Sequence, residues 1–202
     1  MNDQQTTDAS NPVAYPAIKT TSPAYNRKRV EGENTLVELP WIGKINLRGN
    51  PSNTQFAGKV AAVLGCELPV EANTQVQRNE ITIYWLGPDE WLVHCLIDDV
   101  ERLLLELKSQ LSSTHYAATD VSDYFTVLQL QGPNVTELLS KGCPLDLHPD
   151  VFESSHCSQT RFGHASVLLH KLDRSTFNIQ IRWSYTEYLW DYLATSMDAI
   201  DR

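Results

Sequence analysis

Trp85-Leu-Gly-Pro-Asp-Glu-Trp-Leu-Val93 sets two tryptophans six positions apart around a Gly-Pro-Asp-Glu turn. Pro88 pre-sets its own φ for the second position of a turn, and Gly87 frees the backbone before it. The apolar runs on either side, Ile81–Leu86 and Leu92–Leu96, read as strands. The unit is a β-hairpin with an acidic tip and a Trp, Trp85 or Trp91, at the root of each arm.

Outward from this hairpin the chain divides into two similar halves. In the first, Ile45–Gly49 (INLRG) leads into a helix, with Ser52 and Gln55 spaced as a capping box. Phe56, Val60, Val63 and Leu64 line its apolar face, and Gly65 ends it before Cys66-Glu67-Leu68-Pro69. In the second, Leu128–Gly132 (LQLQG) leads to Pro133, which suits a first helical turn. Val135, Leu138 and Leu139 form the face, and Gly142 stops the helix before Cys143-Pro144-Leu145.

Each half continues with strands and a longer helix. Near Asp99–Leu111 the stripe is Val100, Leu103, Leu104, Leu107 and Leu111, with Asp98 and Glu101 as a box-like start. In Phe177–Trp183, apolar residues alternate with Asn178, Gln180 and Arg182, the pattern of a half-buried strand. A last helix is expected from Ser184, with Glu187 closing its box. The expected architecture is α+β: two related βαββα-type modules, residues 35–115 and 116–202, packed as one folded unit. Residues 1–34, rich in Asn, Gln, Thr, Ser and Pro, are expected to be a disordered leader. Within it, Arg27–Arg29 reads as a solvated charge run.

The chain has 202 residues and a formal charge of −9, all of it carried by residues 35–202, because the leader's charges cancel. That balance argues against nucleic-acid binding. No apolar run approaches the roughly 20 residues of a membrane span, and no secretory layout opens the chain. A cytoplasmic location is expected, with Cys66, Cys95, Cys143 and Cys157 as buried thiols. Phosphate-loop, zinc-protease and nucleophile-elbow motifs are all missing. His94 and Cys95 are strand neighbours and point to opposite faces, which does not suit a shared metal. Asp120 and Asp123 suit turn and cap roles better than general-base chemistry.

The aromatic density of the last segment is different. Trp183, Tyr185, Tyr188, Trp190 and Tyr192 fall within ten residues. A short helix has little core to hide them all, and aromatic residues with Arg carry most interface energy. Arg182, Trp183, Tyr185 and Trp190 are therefore the candidate partner interface. Trp85, Gly87, Pro88, Trp91 and Gly132 are the motif residues with structural roles.

With these segments placed, the chain resembles the gamma subunit of heterotetrameric sarcosine oxidase. The matching segments are INLRG at 45–49, LGCELP at 64–69, WLGPDEWLV at 85–93, DVSD at 120–123, LQLQGP at 128–133, KGCPLDLHPDVF at 141–152 and RWSYTEYLWDYL at 182–193. They run in family order over most of residues 40–195. The chain departs at Tyr185-Thr186, where the family favours Phe-Ala. The resemblance implies a fold similar to the folate-binding domain of aminomethyltransferase, the glycine-cleavage T-protein. It also implies a complex that oxidatively demethylates sarcosine to glycine and can pass the one-carbon unit to tetrahydrofolate. FAD, FMN, NAD, tetrahydrofolate and zinc are then expected in the alpha, beta and delta subunits, with none in this chain and no catalytic residue carried over. The gamma subunit is expected to be a non-catalytic assembly element that meets the alpha subunit most directly. The alternative is a free-standing folate-binding or aminomethyltransferase-like protein that uses Asp120, Asp123 or Asp146.

Overall fold

The computed structural model describes residues 27–154 and 156–200. The first half contributes β3 (Gly43–Gly49), α1 (Thr54–Leu64), β4 (Gln75–Arg78), β5 (Ile81–Gly87), β6 (Glu90–Cys95) and α2 (Val100–Gln110). The second repeats the order with β8 (Phe125–Gln131), α3 (Val135–Ser140), β9 (Cys157–Phe162), β10 (Ala165–Asp173), β11 (Thr176–Arg182) and α4 (Thr186–Ile200). Each module is thus β-α-β-β-β-α, one strand richer than expected. The extra strands, β4 and β9, are short or polar, and their apolar periodicity is too weak to stand out in the sequence.

In both sheets the strands pair in the same antiparallel order, β3-β6-β5-β4 in one and β8-β11-β10-β9 in the other. Three further strands complete them: β1 (Lys28–Glu31), β2 (Asn34–Glu38) and β7 (Tyr116–Asp120). Here the expected boundaries need correction. β2 leads into the first module but pairs with β8 of the second sheet, Thr35 opposite Gln131 through Glu38 opposite Leu128. β7 leads into the second module but pairs with β3 of the first sheet, Ile45 opposite Asp120. Each module's lead-in strand belongs to the other sheet, so a cut at 115/116 separates β7 from its partner. Part of the expected leader is ordered. Lys28–Glu31 is a strand paired with β2. The expectation for residues 1–26 lies outside the described residues.

Alternation along the strands builds three apolar layers. Ile45, Leu47, Ile83, Trp91 and Val93 meet Phe56, Val60, Leu103 and Leu107 of α1 and α2. Leu128, Leu130, Leu169, Phe177 and Ile179 meet Leu138, Leu139, Leu189 and Leu193 of α3 and α4. The opposite faces turn to each other through Tyr84, Leu92, Cys157 and Leu168. That middle layer also holds polar groups in pairs: His94 Nε2 lies 2.6 Å from Gln180 Oε1, and Tyr84 Oη lies 3.2 Å from His170 Nδ1.

Local signals settle differently from expectation at three helix starts. Asn53, rather than Ser52, caps α1, its Oδ1 accepting from the N–H groups of Gln55 and Phe56. The starts of α2 and α4 are single 3-10 turns, Ile97–Asp99 and Trp183–Tyr185, without the side-chain capping bonds the boxes suggest. Near α3, Gly132 has φ +143°, and a Cβ there would lie 2.3 Å from Asn34 Oδ1, so glycine is required. The same Asn34 oxygen accepts from Asn134 N–H at 3.2 Å, which ties β2 to the entry of α3.

Candidate functional surface and inter-sheet cleft

The Trp85–Val93 hairpin is structural. Its register sets Trp85 opposite Trp91, with a bulge before the Gly87–Glu90 closure. Trp91 is wholly buried, its Nε1–H donating to Pro69 O at 2.7 Å and its ring 6.2 Å from Phe56. Trp85 is half-buried, and Pro88 and Asp89 are exposed at the tip. Arg48 pairs with Asp89 at 3.1 Å, and Gly49 N–H donates to Asp89 O at 3.0 Å, which fastens the tip to the end of β3.

The four candidate interface residues part company. Trp183 and Tyr185 are exposed to 46% and 42%, in the 3-10 turn between β11 and α4. Arg182 is exposed beside them at the end of β11. Trp190 is not a surface residue: at 7% exposure it packs in the core with Leu189, Leu193 and Met197. The buried stripe of α4 is Thr186, Leu189, Trp190, Leu193 and Met197, which takes in Trp190 and leaves Tyr188 and Tyr192 at its margin. The outer side of Trp190 is covered by Arg27, whose guanidinium lies 4.7 Å from the ring centroid. Arg27 also makes a two-point contact with the Glu187 carboxylate at 2.9 and 3.2 Å, and Arg29 bonds Asp198. Arg27 and Arg29 therefore strap the first strand to α4 and are not simply a solvated run.

Tyr124, which sequence reasoning passed over, joins the exposed group, with the half-buried Phe125 beside it. Tyr124 is 40% exposed and stands edge-on to Phe125, with centroids 4.6 Å apart. The Arg182 guanidinium lies 5.1 Å from the Tyr124 ring centroid, and Trp183 N–H donates to Tyr124 O at 3.1 Å. The register of β8 and β11, Phe125 opposite Arg182, brings these segments together. The available signal was the aromatic pair that directly follows the Asp120–Asp123 turn.

Beside this patch the sheets diverge and leave an open cleft of about 380 Å³. Leu86, Leu92, Phe125 and Leu168 line it, with Gln180 and Arg182 as polar wall. Deeper in, burial governs protonation. It lowers His94 to about 3 and His170 to about 4, so both are neutral at neutral pH. The neutral His94 then donates Nε2–H to the Gln180 oxygen, and His170 Nδ1 shares a hydrogen bond with Tyr84 Oη. Lys44, buried on the same sheet face, is lowered to about 8 by desolvation, against the pull of Asp120. Its Nζ donates to Ile42 O and Ser122 O at 3.2 and 3.4 Å.

Two of the three candidate acids are engaged in turns. Asp120 Oδ1 accepts from Ser122 N–H and Oγ–H at 2.9 and 2.5 Å, and Asp146 Oδ1 accepts from His148 N–H at 2.9 Å, both turn-forming bonds. The four cysteines are buried and unpaired. Among the described residues no group of three or more His, Cys, Asp or Glu is placed to hold a metal, and no helix is long and apolar enough to cross a membrane.

Two strand-exchanged modules around a shared inter-sheet layer define the aminomethyltransferase class of fold. The solved glycine cleavage system aminomethyltransferase T from Bartonella henselae matches with a TM-score of 0.58 at 13% identity, over 90% of this chain and 50% of that one. The chain itself belongs to the sarcosine oxidase, gamma subunit family, whose model matches residues 48–199. It is 32% identical over 177 residues to the sarcosine oxidase subunit gamma of Corynebacterium sp. (strain U-96), covering 86% of this chain and 85% of the relative. An Arthrobacter sarcosine oxidase subunit gamma is 30% identical over 82% of this chain and 81% of its own length. The solved heterotetrameric sarcosine oxidase from Corynebacterium sp. U-96, in complex with pyrrole 2-carboxylate, contains a chain matching with a TM-score of 0.78 at 30% identity, over 86% of this chain and 88% of that chain.

Proposed function

We propose that this chain is a structural, non-catalytic assembly subunit of a sarcosine oxidase complex. The complex oxidatively demethylates sarcosine to glycine and delivers the one-carbon unit to tetrahydrofolate. FAD, FMN, NAD, the folate and zinc reside in the alpha, beta and delta subunits, in the cytoplasm, and the alpha subunit is the principal contact. The observation that carries this reading is the cluster Tyr124, Arg182, Trp183 and Tyr185, exposed on a member of the gamma family. Large aromatic side chains around an Arg are the composition of energetic centres in protein interfaces. The turn bonds that occupy Asp120 and Asp146 agree with a supporting role.

Co-expression with the alpha, beta and delta subunits tests this. Wild-type chain co-purifies as a stoichiometric member. The double variant Trp183→Ala, Tyr185→Ala folds, because both side chains are exposed, and weakens its retention at least tenfold. Turnover of sarcosine by the isolated chain, or its submillimolar binding of tetrahydrofolate, overturns the proposal in favour of an aminomethyltransferase-like protein.

A further inference from the structure

The cleft between the sheets opens directly beside the exposed patch, with Tyr124 and Arg182 belonging to both. We propose that it is a socket for a loop of a partner subunit, which inserts an aspartate or glutamate side chain alongside an apolar one. This rests on the assembly role proposed above and specifies how the partner engages.

Charge complementarity selects the acidic group. Arg182 makes no ion pair among the described residues, and unlike Arg78, Arg161 and Arg174, which are also unpaired there, it lines the cleft. Its guanidinium carbon lies 5.1 Å from the Tyr124 ring centroid and none of its N–H groups has a carboxylate partner among the described residues, so they can serve a planar, two-point acceptor. Gln180 adds to the donor character: its oxygen is engaged by His94, so its N–H₂ is the group left to face a ligand. Covering Arg182 with an apolar surface alone strands a charge, at a cost a carboxylate removes.

The apolar residue follows from the walls. Leu86, Leu92 and Leu168 form the floor. Shape separates a protein partner from a small molecule. Small-ligand sites enclose roughly 70–90% of their ligand. This cleft is open, with exposed Gln159 and Ser166 along it. Arg182 in its wall is followed along the chain by the exposed Trp183 and Tyr185, which a small molecule in the cleft leaves uncovered.

The test uses the co-expressed complex. Ser166→Trp, at an exposed position on β10, fills the socket, and Arg182→Gln removes its charge. Each is expected to weaken subunit association at least tenfold, with Arg182→Lys partly restoring it and thermal midpoints of the free chains unchanged. If Ser166→Trp does not fold, Arg182→Gln and Arg182→Lys give the same readout. Unchanged association in both Ser166→Trp and Arg182→Gln, while Trp183→Ala, Tyr185→Ala still loosens the complex, overturns the socket and leaves the assembly role standing. Failure of all these variants to affect association overturns both. Normal assembly of Ser166→Trp combined with lost calorimetric binding of glutarate makes the cleft a small-molecule site, which also overturns the socket.

Discussion

Trp85 and Trp91 face each other across one hairpin, yet only Trp91 fills the core and bonds Pro69. Trp91→Ala is expected to cost about 3–5 kcal/mol, the range for a buried aromatic truncation. Trp85→Ala, half-buried, should cost well under half of that; urea midpoints of the two variants make the comparison. Gly132 is a second position where one atom decides. Alanine there meets Asn34 and an unfavourable φ, and the loss should be about 1–3 kcal/mol. The buried histidines set the acid response. Unfolded histidine titrates near 6.5; His94 and His170 in the fold titrate at about 3 and about 4. The unfolded chain therefore binds more protons below pH 6.5. The stabilisation from keeping both rings neutral is complete above that pH and is lost as pH falls toward 4. Each histidine contributes a slope approaching about 1.4 kcal/mol per pH unit. Urea unfolding between pH 7 and 4.5 should show this slope, and His170→Asn should remove about half of it.

At the scale of elements, the hairpin and the main helices were legible because their determinants are local: period-two alternation, a Gly-Pro turn, and apolar residues three and four apart. Trp190 was misplaced because its environment is not local. Helical spacing groups Tyr188, Leu189, Tyr192, Leu193 and Met197, which leaves Trp190 pointing elsewhere. The buried stripe keeps Leu189, Leu193 and Met197 but takes in Trp190, and the cover over Trp190 comes from Arg27. The Arg27–Glu187 pair joins residues 160 positions apart, in a segment whose composition suggested no structure. Tyr124 and Phe125 were missed for the same reason, since it is the pairing of β8 with β11 that sets them beside Arg182. The strap has a measurable share of stability. Arg27→Ala removes a partly exposed ion pair and the stack on Trp190, together about 1–2 kcal/mol. It should also shift tryptophan emission to the red. Glu187→Gln keeps the stack and should lose less, with little spectral change.

At the scale of the whole molecule, the repeat was readable and the exchange was not. Strand, glycine, helix and cysteine recur in both halves because each module solves the same packing problem. Nothing in Thr35–Glu38 or Tyr116–Asp120 announces which sheet it joins. Backbone ladders accept any extended partner, and their pairing is chosen by the folded whole. The exchange has a consequence for cooperativity. A chain ending at 115 keeps β2 but has no β8 to pair with it, and its β3 loses β7. A chain starting at 116 keeps β7 without β3, and its β8 loses β2. Each fragment also exposes the inner face bearing Tyr84, Leu92 or Leu168. Residues 1–115 and 116–202 made separately should show no cooperative urea transition by circular dichroism. Mixed or co-expressed, they should associate and recover one, because every missing ladder is supplied by the other fragment. The intact chain should unfold in a single transition with matching calorimetric and van't Hoff enthalpies. Two resolved transitions, or a cooperative fold in either fragment alone, would show that the exchanged strands do not couple the modules.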